Sequence, residues 1–162
     1  MKAVLTILSV VFFMSVNAQD NVKSHTVSIA LSNVIELNLT GGNPSMSFTT
    51  AAHYQNGVTS STTPTTLTVS SNKAYSITAL ASSAANGDLV STAGNMPISK
   101  LTVTSDAGAN FLPLSGTVAT TILAAQPAGG GVAHSVFYKA NPGFAYAAGT
   151  YTTTITYTAT QN

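Results

Sequence analysis

Residues 67–80 read LTVSSNKAYSITAL, two short runs in which apolar and polar residues alternate around a central Asn-Lys pair. The apolar residues that mark this alternation are Leu67, Val69, Tyr75 and Ile77. Because successive side chains of a β-strand point to opposite faces, a period of two predicts strands with one apolar face. Asn72-Lys73 predicts a tight turn, so we expect the two runs to be neighbouring antiparallel strands.

The same alternation recurs before and after this stretch. It is clearest near the C-terminus, where residues 151–158 place tyrosine and isoleucine on one face and threonine on the other. Glycine-, proline- and asparagine-containing turns, such as residues 41–44 and 141–143, separate the runs. We therefore predict an all-β, immunoglobulin-like antiparallel β-sandwich of about 7–9 short strands. A closed barrel is the alternative architecture.

Residues 1–18 have the order of a secretory signal peptide. Lys2 supplies a positive charge, residues 4–16 are almost entirely apolar, and small residues occupy positions 16 and 18, the third-last and last before the expected cleavage site. The apolar run is shorter than the approximately 20 residues that a membrane-spanning helix requires. We therefore expect no transmembrane helix, and a secreted single β-sandwich domain, residues 19–162, that is extracellular or held at the cell surface.

Charged side chains are scarce after residue 18. The lysines and carboxylates there are Lys23, Lys73, Lys100, Lys139, Asp20, Glu36, Asp88 and Asp106, and arginine is absent. Nucleic-acid binding requires clustered basic side chains, so this composition argues against that class. The chain has no cysteine, so its fold does not depend on disulfides. Together with the simple signal peptide, this favours a bacterial envelope protein.

Histidines and carboxylates do not form a recognisable catalytic or metal-binding pattern. His25, His53 and His134 lie far apart, and none has a partner at the short spacing of metal ligands. Asp88 and Asp106 lie in turns, where aspartate commonly binds its own backbone. The sequence contains neither the G-x-S-x-G motif of hydrolases nor a calcium-binding loop. We therefore predict that the protein is not an enzyme and requires no cofactor or metal.

Aromatic residues concentrate in the last third of the chain and support an alternative function. Tyr151 and Tyr157 share a strand face with Ile155, which indicates core packing. Phe144 and Tyr146 fall in a loop instead, so they are the candidates for exposed rings. Exposed rings can stack on sugars. The alternative prediction is a monomeric extracellular or periplasmic binding module, for example for glycans.

Unprotected edge strands pair with other chains, and this sequence has few charges to prevent such pairing. The first segment after the signal peptide, residues 19–31, carries apolar residues that could enter a sheet: Val22, Val27, Ile29 and Leu31. They are the candidate residues for strand exchange. The segment could pair within its own domain, or it could complete the sheet of a neighbour by donor-strand complementation.

Four local stretches resemble bacterial fimbrial major subunits of the enterobacterial colonisation-factor type. They are HTVSIALSNVIELNL at 25–39, LTVSSNKAYSITAL at 67–80, NMPIS at 95–99, and AGTY at 148–151 before the last strand. The resemblance implies a pilin-like immunoglobulin fold, export through the periplasm, a periplasmic chaperone that lends a strand, and polymerisation by strand exchange. We therefore expect a structural or adhesive subunit of a fimbrium, which serves in cell adhesion and associates with itself or with another surface subunit.

Overall fold

The structure, a computed structural model, describes residues 22–60, 64–83, 85–105 and 110–162. The chain divides into two compact units, Met1–Leu31 and Ser32–Asn162. Every described strand and helix belongs to the second unit. The strands are β1 (Ile35–Thr40), β2 (Val58–Thr59), β3 (Thr65–Ser71), β4 (Tyr75–Ser82), β5 (Leu89–Ser91), β6 (Gly94–Met96), β7 (Leu101–Ser105), β8 (Leu112–Pro113), β9 (Thr120–Gln126), β10 (Gly129–Ala140) and β11 (Thr154–Gln161). The helices are α1 (Ala51–Asn56) and a 3₁₀ turn (Ile98–Lys100).

The predicted all-β antiparallel sandwich is confirmed. One sheet has the strand order β1–β3–β10–β7–β8, with β2 against the end of β10, and the other has the order β11–β4–β9. Strands β5 and β6 form a separate pair. The described residues contain 11 strands, more than the predicted range of about 7–9. Four of them, β2, β5, β6 and β8, have only two or three residues. The remaining longer strands fall within the predicted range.

Residues 67–80 gave two predictions, the alternation of buried residues and the pairing of the two strands, and only the first is confirmed. The alternation is confirmed, because every second residue of β3 and of β4 is buried. The expected pairing of these two strands is wrong: β3 pairs with β1 and β10, whereas β4 pairs with β11 and β9. The Asn72-Lys73 connection therefore crosses from one sheet to the other. A period of two identifies the buried face of a strand, but it does not identify the strand's partner.

The core lies between the inward faces of the two sheets. Its largest fully buried side chains are Leu67, Val69, Tyr75, Ile77, Val103 and Val136. His134 is also buried, at 4 % exposure, and its Nε2 lies 2.8 Å from the hydroxyl oxygen of Tyr75. This hydrogen bond joins β10 of one sheet to β4 of the other, so a buried polar pair is accommodated within the apolar core.

One long side of the sandwich is closed by hydrogen bonds between the sheets. We call this side, formed by β7, β8 and β9, the closed seam. The Ser105 hydroxyl donates to the Ile122 carbonyl at 2.9 Å, and the Thr120 hydroxyl donates to the Pro113 carbonyl at 2.9 Å. The amide of Ala81 in β4 adds a third bond, to the Ser115 carbonyl, at 3.0 Å.

Candidate functional site

The opposite long side of the sandwich is bridged at one end and open at the other. In the part of the chain that the structure describes, β1 pairs only with β3, and β11 pairs only with β4. Each of these two strands therefore presents one edge without a strand partner. We call the side between these two edges the open seam. Edges of this kind carry backbone N–H and C=O groups that can pair with an additional strand.

A groove of about 500 Å³ lies along the open seam and reaches the core. Its apolar wall includes Leu39, Met46, Leu101 and Ile155. Leu39 is 60 % exposed, although it belongs to the apolar face of β1. The apolar face of β11 is likewise only half-buried along its whole length. The groove thus has the volume of an ordinary binding site, and core-type side chains line it.

Two tyrosine hydroxyls meet at the floor of this groove. Tyr138 of β10 and Tyr157 of β11 are hydrogen-bonded to each other through their hydroxyl groups. Burial raises the pKa of Tyr138, and the bond to Tyr157 offsets part of this effect. Burial also raises the pKa of Tyr157, to which the proximity of Tyr138 contributes. Both groups therefore stay neutral at physiological pH, and the groove favours an uncharged, largely apolar occupant.

Polar side chains fasten the chain at the far end of the seam, just before β1 begins. The Asn72 side chain donates to the Ser32 carbonyl at 2.8 Å and accepts from the Val34 amide at 2.9 Å. Gln161, at the end of β11, donates to the Val34 carbonyl at 2.8 Å and to the Ser71 hydroxyl at 3.0 Å. We call this network the Asn72 anchor. It holds residues 32–34 against the ends of β3 and β11.

The candidate strand-exchange residues lie in the first unit. We call residues 22–31 of that unit the N-terminal segment. It contains no helix or strand among its described residues. Val22, Val27, Ile29 and Leu31 are 80 %, 72 %, 81 % and 88 % exposed. A single alternating strand is not stable without a sheet to join, which explains why the alternation here does not produce the strand expected from the sequence.

The two candidate aromatic residues have different surroundings. Phe144 is 67 % exposed, and its ring stacks on Tyr54 of α1 at 5.4 Å between centroids. Tyr146 is half-buried, packs against the core, and makes an edge-to-face contact with Tyr151 at 6.4 Å. The ring of Tyr146 is therefore not exposed as its loop position led us to expect. The folding of the loop against the first residues before β11 covers this ring.

The imidazoles and carboxylates in the described regions occupy separate places. His53 accepts a hydrogen bond from the Thr49 amide, while His134 is in the core. Asp88 accepts from the Ile98 amide at 2.9 Å, and Glu36 accepts from the side chain of Asn38. Asp106 lies outside the described residues. Among the residues that the structure does describe, no three histidine or acidic side chains come together in a group that could hold a metal.

Sequence reasoning missed several residues of the open seam. Neither Met46 nor Tyr138, which both line the groove, stands out in the sequence as a candidate site residue. Asn72 was recognised as a turn residue, but its bonds to Ser32 and Val34 span about 40 positions of sequence. The sequence gives no local signal for these bonds, because the side chain of an asparagine in a turn ordinarily binds backbone close to it in sequence.

Neither the family models nor the curated proteins provide a match for this chain. Within the described residues, no helix is long and apolar enough to cross a bilayer.

Proposed function

We propose that this protein is a secreted structural or adhesive subunit of the bacterial cell surface, assembled by β-strand complementation. In this proposal, the N-terminal segment of a second copy fills the open seam. The observation that carries it is the apolar groove between two strand edges, β1 and β11, that have no further strand partner among the described residues. An inserted strand would satisfy these edges and cover the apolar wall.

The N-terminal segment has the pattern that such a groove requires. Val27, Ile29 and Leu31 lie at every second position, so an extended segment presents all three on one face. At about 3.3 Å per residue they span roughly 13 Å, which fits alongside the eight-residue β11. Burial of each side chain contributes roughly 1.5–3 kcal/mol. Ser28 and Ala30 face the other way, and neither carries a charge.

The two ends of the seam support a head-to-tail assembly. The Asn72 anchor lies beside Gln161, at the end of β11, whereas the groove is lined by residues from the start of β11, such as Ile155. About 20 Å of strand separates these positions. Residues 32–34 thus lie at one end of the second unit, and the groove lies toward the other end. A contact of this heterologous type, repeated from copy to copy, produces an open filament.

The proposed assembly also implies that a chaperone protects the subunit during export. An unfilled groove with core-type residues and two strand edges is prone to wrong pairing. A periplasmic chaperone that lends a strand would protect it until a second subunit arrives. The signal peptide predicted at residues 1–18 supplies the route to that compartment.

The test compares Ile29→Asp with the unchanged chain, both starting at Gln19. Light scattering after size-exclusion chromatography and negative-stain microscopy measure assembly. A charge inside an apolar groove costs several kcal/mol, so we expect the assembled fraction to fall by about tenfold or more. Val118→Asp is the matched control, because Val118 is 69 % exposed and lies in a turn outside the seam.

Two outcomes would contradict the proposal. Assembly of Ile29→Asp at the level of Val118→Asp would show that the N-terminal segment does not mediate association. A chain that is strictly monomeric, and whose melting temperature Ile29→Asp lowers, would show that the segment fills the seam of its own domain.

A further inference from the structure

A second pocket, of about 380 Å³, lies away from the open seam, at the end of β10 and the start of β7. Its lining residues are Ser99, Lys100, Thr102, Phe111, Lys139 and Asn141. We call it the two-lysine pocket. Half of the lysines that follow residue 18 line this one pocket, in a chain with almost no other positive charge.

The β7–β10 ladder fixes the relative position of the two lysines. Lys139 lies directly opposite Thr102, and the Asn141 amide donates to the Lys100 carbonyl at 2.9 Å. Lys100, the last residue of the 3₁₀ turn before β7, is therefore a diagonal neighbour of Lys139 in β10, at a spacing of about 7–8 Å. The Thr102 hydroxyl also donates to the Lys139 carbonyl, at 3.1 Å, which holds this part of the ladder together. Two flexible ammonium groups on this frame can reach a single anion.

The charges of the two lysines are not neutralised within the described structure. Neither ammonium group forms an ion pair with a described carboxylate, and neither Glu36 nor Asp88 lines the pocket. Two ammonium groups that share one pocket favour an anionic ligand, because the ligand relieves their mutual repulsion.

The remaining lining residues favour a sugar as the carrier of that anion. Phe111 is half-buried and supplies an aromatic surface beside the lysines. The Ser99 hydroxyl and the Asn141 side-chain amide are further polar groups of the wall. An aromatic surface with a few polar groups is the usual composition of a small-ligand pocket, and it matches the apolar face and the hydroxyls of a sugar ring.

We propose that the two-lysine pocket binds an acidic saccharide, with the carboxylate or sulfate group between Lys100 and Lys139 and a sugar ring against Phe111. This site is separate from the open seam and does not depend on strand complementation. It gives the subunit an adhesive function that is distinct from its assembly.

The experiment measures binding by isothermal titration and by saturation-transfer NMR, with the full chain starting at Gln19. The probes are 3′-sialyllactose, 3′-sulfolactose, neutral lactose and inorganic sulfate. We expect both acidic sugars to bind at least about tenfold more tightly than lactose or sulfate alone. Lactose lacks the charge that the lysines bind, and sulfate lacks the ring that contacts Phe111. Binding should weaken as the salt concentration rises.

Substitutions then locate the site. The double substitution Lys100→Gln with Lys139→Gln should weaken binding of both acidic sugars by about tenfold or more. The conservative double substitution Lys100→Arg with Lys139→Arg keeps both positive charges, so it should retain the contribution of charge to the affinity. Phe111→Leu should weaken binding of the acidic sugars and leave sulfate binding unchanged. Lys73→Gln is the control, since Lys73 is an exposed lysine in the connection between β3 and β4. Thermal melting confirms that each variant is folded.

Three results would overturn the proposal. Binding that survives the double glutamine substitution would place the ligand elsewhere. If inorganic sulfate bound as tightly as 3′-sulfolactose, the sugar ring would contribute nothing to the affinity, and the pocket would be a general anion site. Binding to anionic phospholipid vesicles, without binding to either acidic sugar, would show that the lysines serve a membrane surface instead.

Discussion

The closed seam and the open seam are the two long sides of one sandwich, and they handle their edge strands differently. At the closed seam, Ser105 and Thr120 reach across to backbone carbonyls of the opposite sheet. At the open seam, cross-sheet bonds such as that from Gln161 to Ser71 lie at the anchor end, while an apolar groove is exposed farther along. The same fold therefore combines one self-sufficient edge with one edge suited to a partner. Substitutions on the two sides should separate stability from assembly.

The largest contrast is expected from aspartate on the two edge strands. Ile122 of β9 is 7 % exposed, whereas Ile155 of β11 is half-buried. In an Ile29→Asp background, chosen to weaken the proposed assembly, Ile122→Asp should lower the free energy of unfolding by about 4 kcal/mol or more, and Ile155→Asp by about 1–2 kcal/mol. Urea unfolding followed by circular dichroism measures both. Equal losses would show that the open seam is not more exposed than the closed one.

A second contrast uses two glycines. A Cβ at Gly116, beside the closed seam, would collide with the Asn86 carbonyl, whereas a Cβ at Gly42, beside the groove, would meet nothing within 4 Å. Gly116→Ala should therefore cost about 3 kcal/mol of stability, and Gly42→Ala less than about 0.5 kcal/mol. Thermal unfolding of the two variants provides the comparison. A mild effect at Gly116 would mean that the backbone there yields easily.

The tyrosine pair gives a pH test of the groove floor. The pKa values of Tyr138 and Tyr157 are raised in the folded state, while an unfolded tyrosine titrates near pH 10. The unfolded chain therefore loses these protons first, so the stability contribution is intact below pH 10 and decreases above it. Between pH 10 and 12 we expect Tyr157→Phe to remove a dependence of about 1.4 kcal/mol per pH unit. An unchanged slope in urea titrations would contradict this.

The smallest effect is expected from one bond of the closed seam. Ser105→Ala removes the hydroxyl that binds the Ile122 carbonyl, which should cost about 1 kcal/mol. Thr158→Ala is the control, because Thr158 is exposed on the outer face of β11. Chemical denaturation and hydrogen exchange at β9 measure the difference. Equal losses in the two variants would indicate that the Ser105 bond does not hold the sheets together.

Local pattern predicted the buried faces of the strands but not their partners. Leu67 and Ile77 were identified as inward-facing from alternation alone, and both are fully buried. The partner of β4 is β11, whose first residue, Thr154, lies more than 70 positions from its partner Ser82. Alternation contains no information at that range. The expected β3–β4 pair failed because proximity in sequence was the only guide to pairing.

The candidate sites depended even more strongly on long-range contacts. The exposed segment with Val27, Ile29 and Leu31 could be proposed from sequence, because it required only an alternating run. The groove could not, since it joins Leu39 to Ile155. Lys100 and Lys139 likewise come together only through the β7–β10 register. The contact between Tyr146 and Tyr151 could not be predicted either, because the loop position of Tyr146 suggested an exposed ring.

The Asn72 anchor has a mechanical consequence. Tension applied to Ser32 along the direction of β1 acts parallel to the β1–β3 ladder, in which six residue pairs run from Ile35 to Thr40. Under this shear geometry the ladder bonds share the load, whereas peeling would break them one after another. The side chains of Asn72 and Gln161 carry part of the same load because they grip the chain just before the ladder starts. The β1–β3 pair should thus resist extension most strongly when the pull on Ser32 is parallel to its strands.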